Sequence, residues 1–113
     1  MSQGSHFRAH GRRPIDLRAS ILRPSSESVQ PIRIVDLSLA GACIESSSPV
    51  VTGSWVNVEI LAPSLWDPLV LRGHVVWSRP ASLKSRAGLS FEHTDPSLAL
   101  ALFELLSAQG YSI

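Results

Sequence analysis

A chain of 113 residues, 44% hydrophobic and 17% charged, is long enough to close one hydrophobic core and too apolar to stay disordered. Its one cysteine, Cys43, excludes an internal disulfide, which fits a reducing, cytoplasmic setting. The net charge of +1 is unevenly spread: residues 1–23 hold five arginines against Asp16, a balance of +4, and the rest of the chain sums to −3. A cationic arm on a mildly acidic body points to a small anionic ligand. It points away from DNA or RNA, which call for a basic stripe across a whole face.

In chain order, the N-terminal stretch MSQGSHFRAHGRR carries charges with no apolar segment behind them, so it reads as no secretory signal. No apolar run anywhere is long enough to cross a membrane. Residues 1–13 read as a flexible arm and 14–113 as one domain. From Ile15 to His93 the hydrophobic pattern has period two, as half-buried strands require. Ile15, Leu17, Ala19 and Ile21 alternate with polar residues until Pro24-Ser25-Ser26 breaks the run. Ile32 to Leu37 forms a second strand, and Ala42 and Ile44 lie on one face of a third that stops at Ser46-Ser47-Ser48-Pro49. Val56, Val58 and Ile60 mark a fourth. In the fifth, Leu69, Leu71, Val75 and Trp77 share a face, which places Trp77 in the core. Ala87, Leu89 and Phe91 mark the sixth.

Six strands with mostly short connections favour antiparallel pairing, and closing them into a barrel removes the exposed edges of a flat sheet. Helical spacing comes last. Asp95 caps, Pro96 suits the first helical position, and Leu98, Ala101, Leu102 and Leu105 repeat at i, i+3, i+4 and i+7 before Gly110. That stripe is expected to cover one mouth of the barrel. Trp55 and Trp66 are expected to be partly buried. Cys43, on the face opposite Ala42 and Ile44, reads as inert.

Two segments stand apart. Arg8-Ala9-His10-Gly11-Arg12-Arg13 sets Arg8 and Arg12 in an R-x-x-x-R spacing before the first strand. Asp36-Leu37-Ser38-Leu39-Ala40-Gly41 is a D-x-S-x-x-G spacing between the second and third. With Gly73-His74-Val75-Val76-Trp77 and Ala87-Gly88-Leu89-Ser90-Phe91, they resemble the PilZ domain family, from about Arg8 to the final helix. The resemblance implies an all-β fold, a six-stranded antiparallel barrel with a C-terminal α-helix. It also implies a bacterial receptor for the second messenger cyclic di-GMP, needing no cofactor and relaying the signal to an effector protein, as monomer or homodimer. It assigns ligand contacts to Arg8, Arg12, Asp36, Ser38 and Gly41. Arg13 is either a third phosphate contact or an addition to the local field.

The chemistry is consistent with those assignments. A guanidinium fork matches phosphate oxygens and the paired acceptors O6 and N7 of guanine. A carboxylate at Asp36 can accept from the guanine N1–H and exocyclic amine. The Ser38 hydroxyl suits either a phosphate or the fixing of its own turn, and Asp36 can likewise close a turn onto backbone. Gly41 is expected at positive φ in a tight connection. Binding is then expected to order a mobile arm over the ligand. One departure from the family pattern is the extra arginine and proline in Gly11-Arg12-Arg13-Pro14, which could re-aim the arm.

Two other readings compete. One is a barrel of the same fold that binds no nucleotide and acts as a protein-interaction module in motility or polarity. The other, a single-strand nucleic-acid barrel, is opposed by near-neutral charge and 6% aromatic content. Catalysis finds no support. His6, His10, His74 and His93 are scattered without a third ligand for a metal, and no nucleophile-elbow, P-loop or zinc-protease spacing exists.

Overall fold

A computed structural model describes residues 13–23, 29–62 and 65–108, with backbone alone for 13–16. Six strands follow one another: β1 (Arg13–Leu22), β2 (Val29–Leu37), β3 (Gly41–Ser46), β4 (Trp55–Ile60), β5 (Leu69–Arg79) and β6 (Ser85–Phe91). One helix, α1 (Pro96–Ala108), ends the described chain. Every strand pair is antiparallel, and the order β1-β2-β3-β6-β5-β4 closes on itself through β4 and β1. The all-β barrel with a C-terminal helix expected from the period-two pattern is therefore present.

Alternation builds the interior. Ile21, Ile34, Ile44, Ile60, Leu71 and Leu89, one from each strand, are fully buried. Each such side chain contributes roughly 1.5–3 kcal/mol when removed from water. α1 packs against β5 and adds Leu102, Leu105 and Leu106 to the same core, with Ala101 partly buried beside them. Leu98, assigned to that stripe by spacing, is instead partly exposed, because the buried face turns toward Leu106. Asp95 caps the helix as expected, accepting at Oδ1 from the Ser97 amide (2.9 Å) and hydroxyl (2.7 Å). Gly110 lies outside the described residues.

The β3–β4 connection is pinned to β5. Gly53, at φ 91°, donates its N–H to Val75 O (2.7 Å), and Val75 N–H returns to Ser54 O (2.9 Å). A β-branched or bulky residue does not hold that φ without strain. Immediately after Val75 the register slips: Val75 faces Leu89 while Trp77 faces Gly88, so Val76 is an extra residue in β5. This bulge inverts the alternation. Trp77 emerges on the outer surface, 37% exposed, and not in the core as its spacing from Leu71 and Val75 predicted. Trp66 is also fully exposed rather than partly buried, and Trp55 is 39% exposed.

Candidate ligand site on the outer face of the barrel

The D-x-S-x-x-G segment is the end of β2, a turn and the start of β3. Ser38 N–H donates to Gly41 O (2.9 Å), closing the turn on its backbone. The Ser38 hydroxyl, buried, accepts from the amides of Ala40 and Gly41 (3.2 Å each) and donates to Gly41 O (3.3 Å). Of its two expected uses, holding the turn is the one this geometry displays. Asp36 Oδ1 accepts from the Cys43 N–H (3.2 Å), tying β2 to β3 just above the turn.

Gly41 does not have the positive φ expected of it; among the described residues only Gly53 does. Its need for glycine is close approach instead. A Cβ built at Gly41 would stand 1.9 Å from the Leu89 carbonyl oxygen on β6, so only glycine lets these backbones meet. The turn is held from β6 as well, by Phe91 N–H to Ala40 O (2.8 Å) and by the His93 ring nitrogen Nε2 on Leu39 O. The loop is therefore a rigid platform, fixed at both strands and from the neighbouring one.

Cross-strand pairing places this platform in a longer row. Pro14 pairs with Asp36, Asp36 with Cys43, Cys43 with Gly88, and Gly88 with Trp77, crossing five strands. The Trp77 indole lies over Gly88, where a Cβ would meet Nε1 at 2.0 Å. The ring thus reaches from β5 across β6 toward β3. Arg79 carries its guanidinium 5.7 Å from the centre of that ring. Asp36 and Trp77 stand three strand spacings apart, about 14 Å, with only Cys43 and Gly88 between them. Cys43 is buried although it faces outward, and it stands apart from the core cluster.

The arginine motif falls mostly beyond this picture. Arg8 and Arg12 lie outside the described residues, and of Arg13 the backbone alone is given. That backbone is informative: Arg13 pairs with Leu37, one residue from Asp36. The start of β1 therefore lies beside the D-x-S-x-x-G loop. Sequence spacing missed Trp77 as a member of this surface. A signal existed in Val75-Val76-Trp77, three apolar residues in succession, which no strict alternation accommodates.

Among the described residues no cluster of three or more His, Cys, Asp or Glu side chains is placed to hold a metal. Nor is any helix there long and apolar enough to cross a membrane.

The PilZ domain family model matches residues 5–108 of the chain. No curated protein matches. Among solved structures, the chain is similar to the PilZ domain of CeSA from a cellulose-synthesizing bacterium, with a TM-score of 0.70 at 15% identity, over 88% of this chain and 97% of that one. It is also similar to the PilZ domain of YcgR from Escherichia coli, whose structure contains cyclic di-GMP, at a TM-score of 0.65 and 13% identity over 81% and 80%. The Bacillus subtilis inhibitor of motility MotI/DgrA matches at 0.66 and 15%, over 88% of this chain and 49% of its own.

Proposed function

The chain belongs to the PilZ domain family, and from that premise we propose that it is a receptor for cyclic di-GMP, binding it on the Asp36–Trp77 row. The observation that carries the proposal is the pairing of Arg13 with Leu37. It sets the start of β1, which Arg8 and Arg12 precede in sequence, beside the loop that bears Asp36. Arg13 and Leu37, well separated in sequence, are neighbours at this end of β1.

The roles follow from chemistry. Arg8 and Arg12, with Arg13 beside them, clamp phosphate and guanine through their guanidinium forks. Asp36 accepts from a guanine edge. Ser38 and Gly41 contribute by shaping the loop, the first through its three turn hydrogen bonds and the second by admitting β6. The exposed face of the Trp77 indole offers a stacking surface for a base. Closing of the arm over the nucleotide changes the surface shown to an effector protein. It does so only to the extent that the nucleotide binds the closed arm more tightly than the open one.

Calorimetric titration tests this directly. Cyclic di-GMP should bind saturably, GMP far more weakly, and the affinity should fall as salt screens the arginines. Cyclic di-AMP binding equally well would remove the guanine contacts from the account. No binding at high cyclic di-GMP concentration would replace the receptor with a nucleotide-free interaction module.

A further inference from the structure

One row away from the Asp36 platform the outer face changes character. Arg18 pairs with Arg33, Arg33 with Glu45, Glu45 with Arg86, and Arg86 with Arg79, again across β1, β2, β3, β6 and β5. Four arginines and one glutamate thus ring most of the barrel. A groove of about 610 Å3 opens on part of this belt, lined among others by Arg18, Arg33, Glu45 and Lys84, with Leu61 and Leu83 in its walls. Its volume lies within the range of ligand clefts, about 300–1,000 Å3.

Stability does not account for the belt. Like charges placed directly opposite on neighbouring strands are destabilising, and the belt does this twice, at Arg18–Arg33 and Arg79–Arg86. Glu45 holds Arg86 at 2.8 Å and Arg33 at 3.8 Å, yet both arginine side chains remain about half exposed, at 52% and 48%. Arg18 and Lys84 make no ion pair among the described residues. The chain's net charge is only +1, so this concentration on one surface leaves the remainder acidic.

We propose that this groove binds an extended acidic segment of a partner protein, with carboxylates on Arg18, Arg33 and Lys84 and a large apolar side chain against Leu61 and Leu83. Leu83 is 83% exposed and Leu61 47% exposed, so each has apolar surface to give. The closed barrel leaves no strand edge among its six strands for a peptide to extend. Recognition therefore falls to side chains, and charge complementarity sets the partner's sign. The proposal does not rest on nucleotide binding, since Arg33 lies three residues along β2 from Asp36, about 10 Å away.

The test uses the full chain and a fluorescein-labelled synthetic peptide of glutamates interspersed with leucines, followed by anisotropy. A lysine–leucine peptide and a single-stranded oligonucleotide of similar charge are the comparisons. The acidic peptide should bind saturably and the basic one not at all. Arg18→Glu combined with Lys84→Glu should weaken binding at least about tenfold while cyclic di-GMP calorimetry stays as in the parent protein. Absence of saturable binding, indifference to the charge reversal, or tighter binding of the oligonucleotide overturns the proposal. So does a parallel loss of cyclic di-GMP binding, which would merge the groove with the nucleotide site. Should the reversed variant fail to melt cooperatively, Arg18→Gln with Lys84→Gln carries the same reading with a smaller loss.

Discussion

Asp36 holds β2 to β3 through its bond from the Cys43 amide, and in the proposed complex it also meets guanine. Asparagine separates these duties. Asp36→Asn keeps a side-chain carbonyl for Cys43 N–H but presents an amide donor to guanine donors. Cyclic di-GMP binding should weaken by about 1–3 kcal/mol in calorimetry while the melting temperature barely moves. Unchanged binding would leave Asp36 a turn residue and nothing more. The two glycines of this surface make a second contrast. Gly41→Ala drives a Cβ into the Leu89 carbonyl, a backbone atom that cannot step aside without parting β3 from β6. It should cost on the order of 1–3 kcal/mol in denaturant melts. Gly88→Ala meets the Trp77 ring first, an exposed side chain that can swing away. It should shift the Trp77 indole N–H resonance and weaken cyclic di-GMP binding, with less loss of stability than Gly41→Ala. The reverse order would mean that the indole is locked over β6.

At the scale of elements, alternation made all six strands legible, since Leu17 to Ile21 and Ala87 to Phe91 keep one face apolar throughout. It failed within β5, where the extra Val76 turns Trp77 outward, and a period-two count carries no allowance for an unpaired residue. Gly41 was legible as a required glycine but not for its reason, because contact between β3 and β6 is a long-range fact. α1 was legible from both its cap and its spacing. The Asp95 carboxyl is held below its usual 3.8 by the Ser97 hydroxyl and then the Ser97 amide. A carboxylate depressed in the folded state stabilises above its unfolded pKa, and that contribution is lost as pH falls through the folded value. Asp95→Ala should therefore melt earlier than the parent near neutrality, with the two melting temperatures converging in acid below 3.8. A constant gap at every pH would assign the loss to something other than the cap's charge. β1 begins at Arg13, and among its described side chains the first buried one is Leu17. Removing residues 1–12 should accordingly leave a cooperatively folding barrel that no longer binds cyclic di-GMP, as circular dichroism and calorimetry would report; an unfolded product would give the arm a structural duty.

Across the whole molecule, closure was foreseeable because six strands with free edges invite association, whereas the neighbours that closure creates were not. Nothing local in the sequence says that β3 lies against β6, or that Arg18, Arg33, Glu45, Arg86 and Arg79 form one belt. The proximity of the start of β1 to the D-x-S-x-x-G loop is a global property of the same kind, fixed by the pairing of β1 with β2. The outward-facing but buried Cys43 turns this topology into a chemical clock. It is the chain's one thiol and stands in the middle of the row between Asp36 and Trp77. A thiol reagent reaches it only when the surface around it opens, so the modification rate under native conditions counts openings of the candidate site rather than of the protein at large. Dithionitrobenzoate should react far more slowly with the folded chain than with the urea-unfolded one. Saturating cyclic di-GMP should slow it further, by laying a ligand across this row. A rate that ignores the nucleotide would mean that the ligand rests somewhere other than above this sulfur.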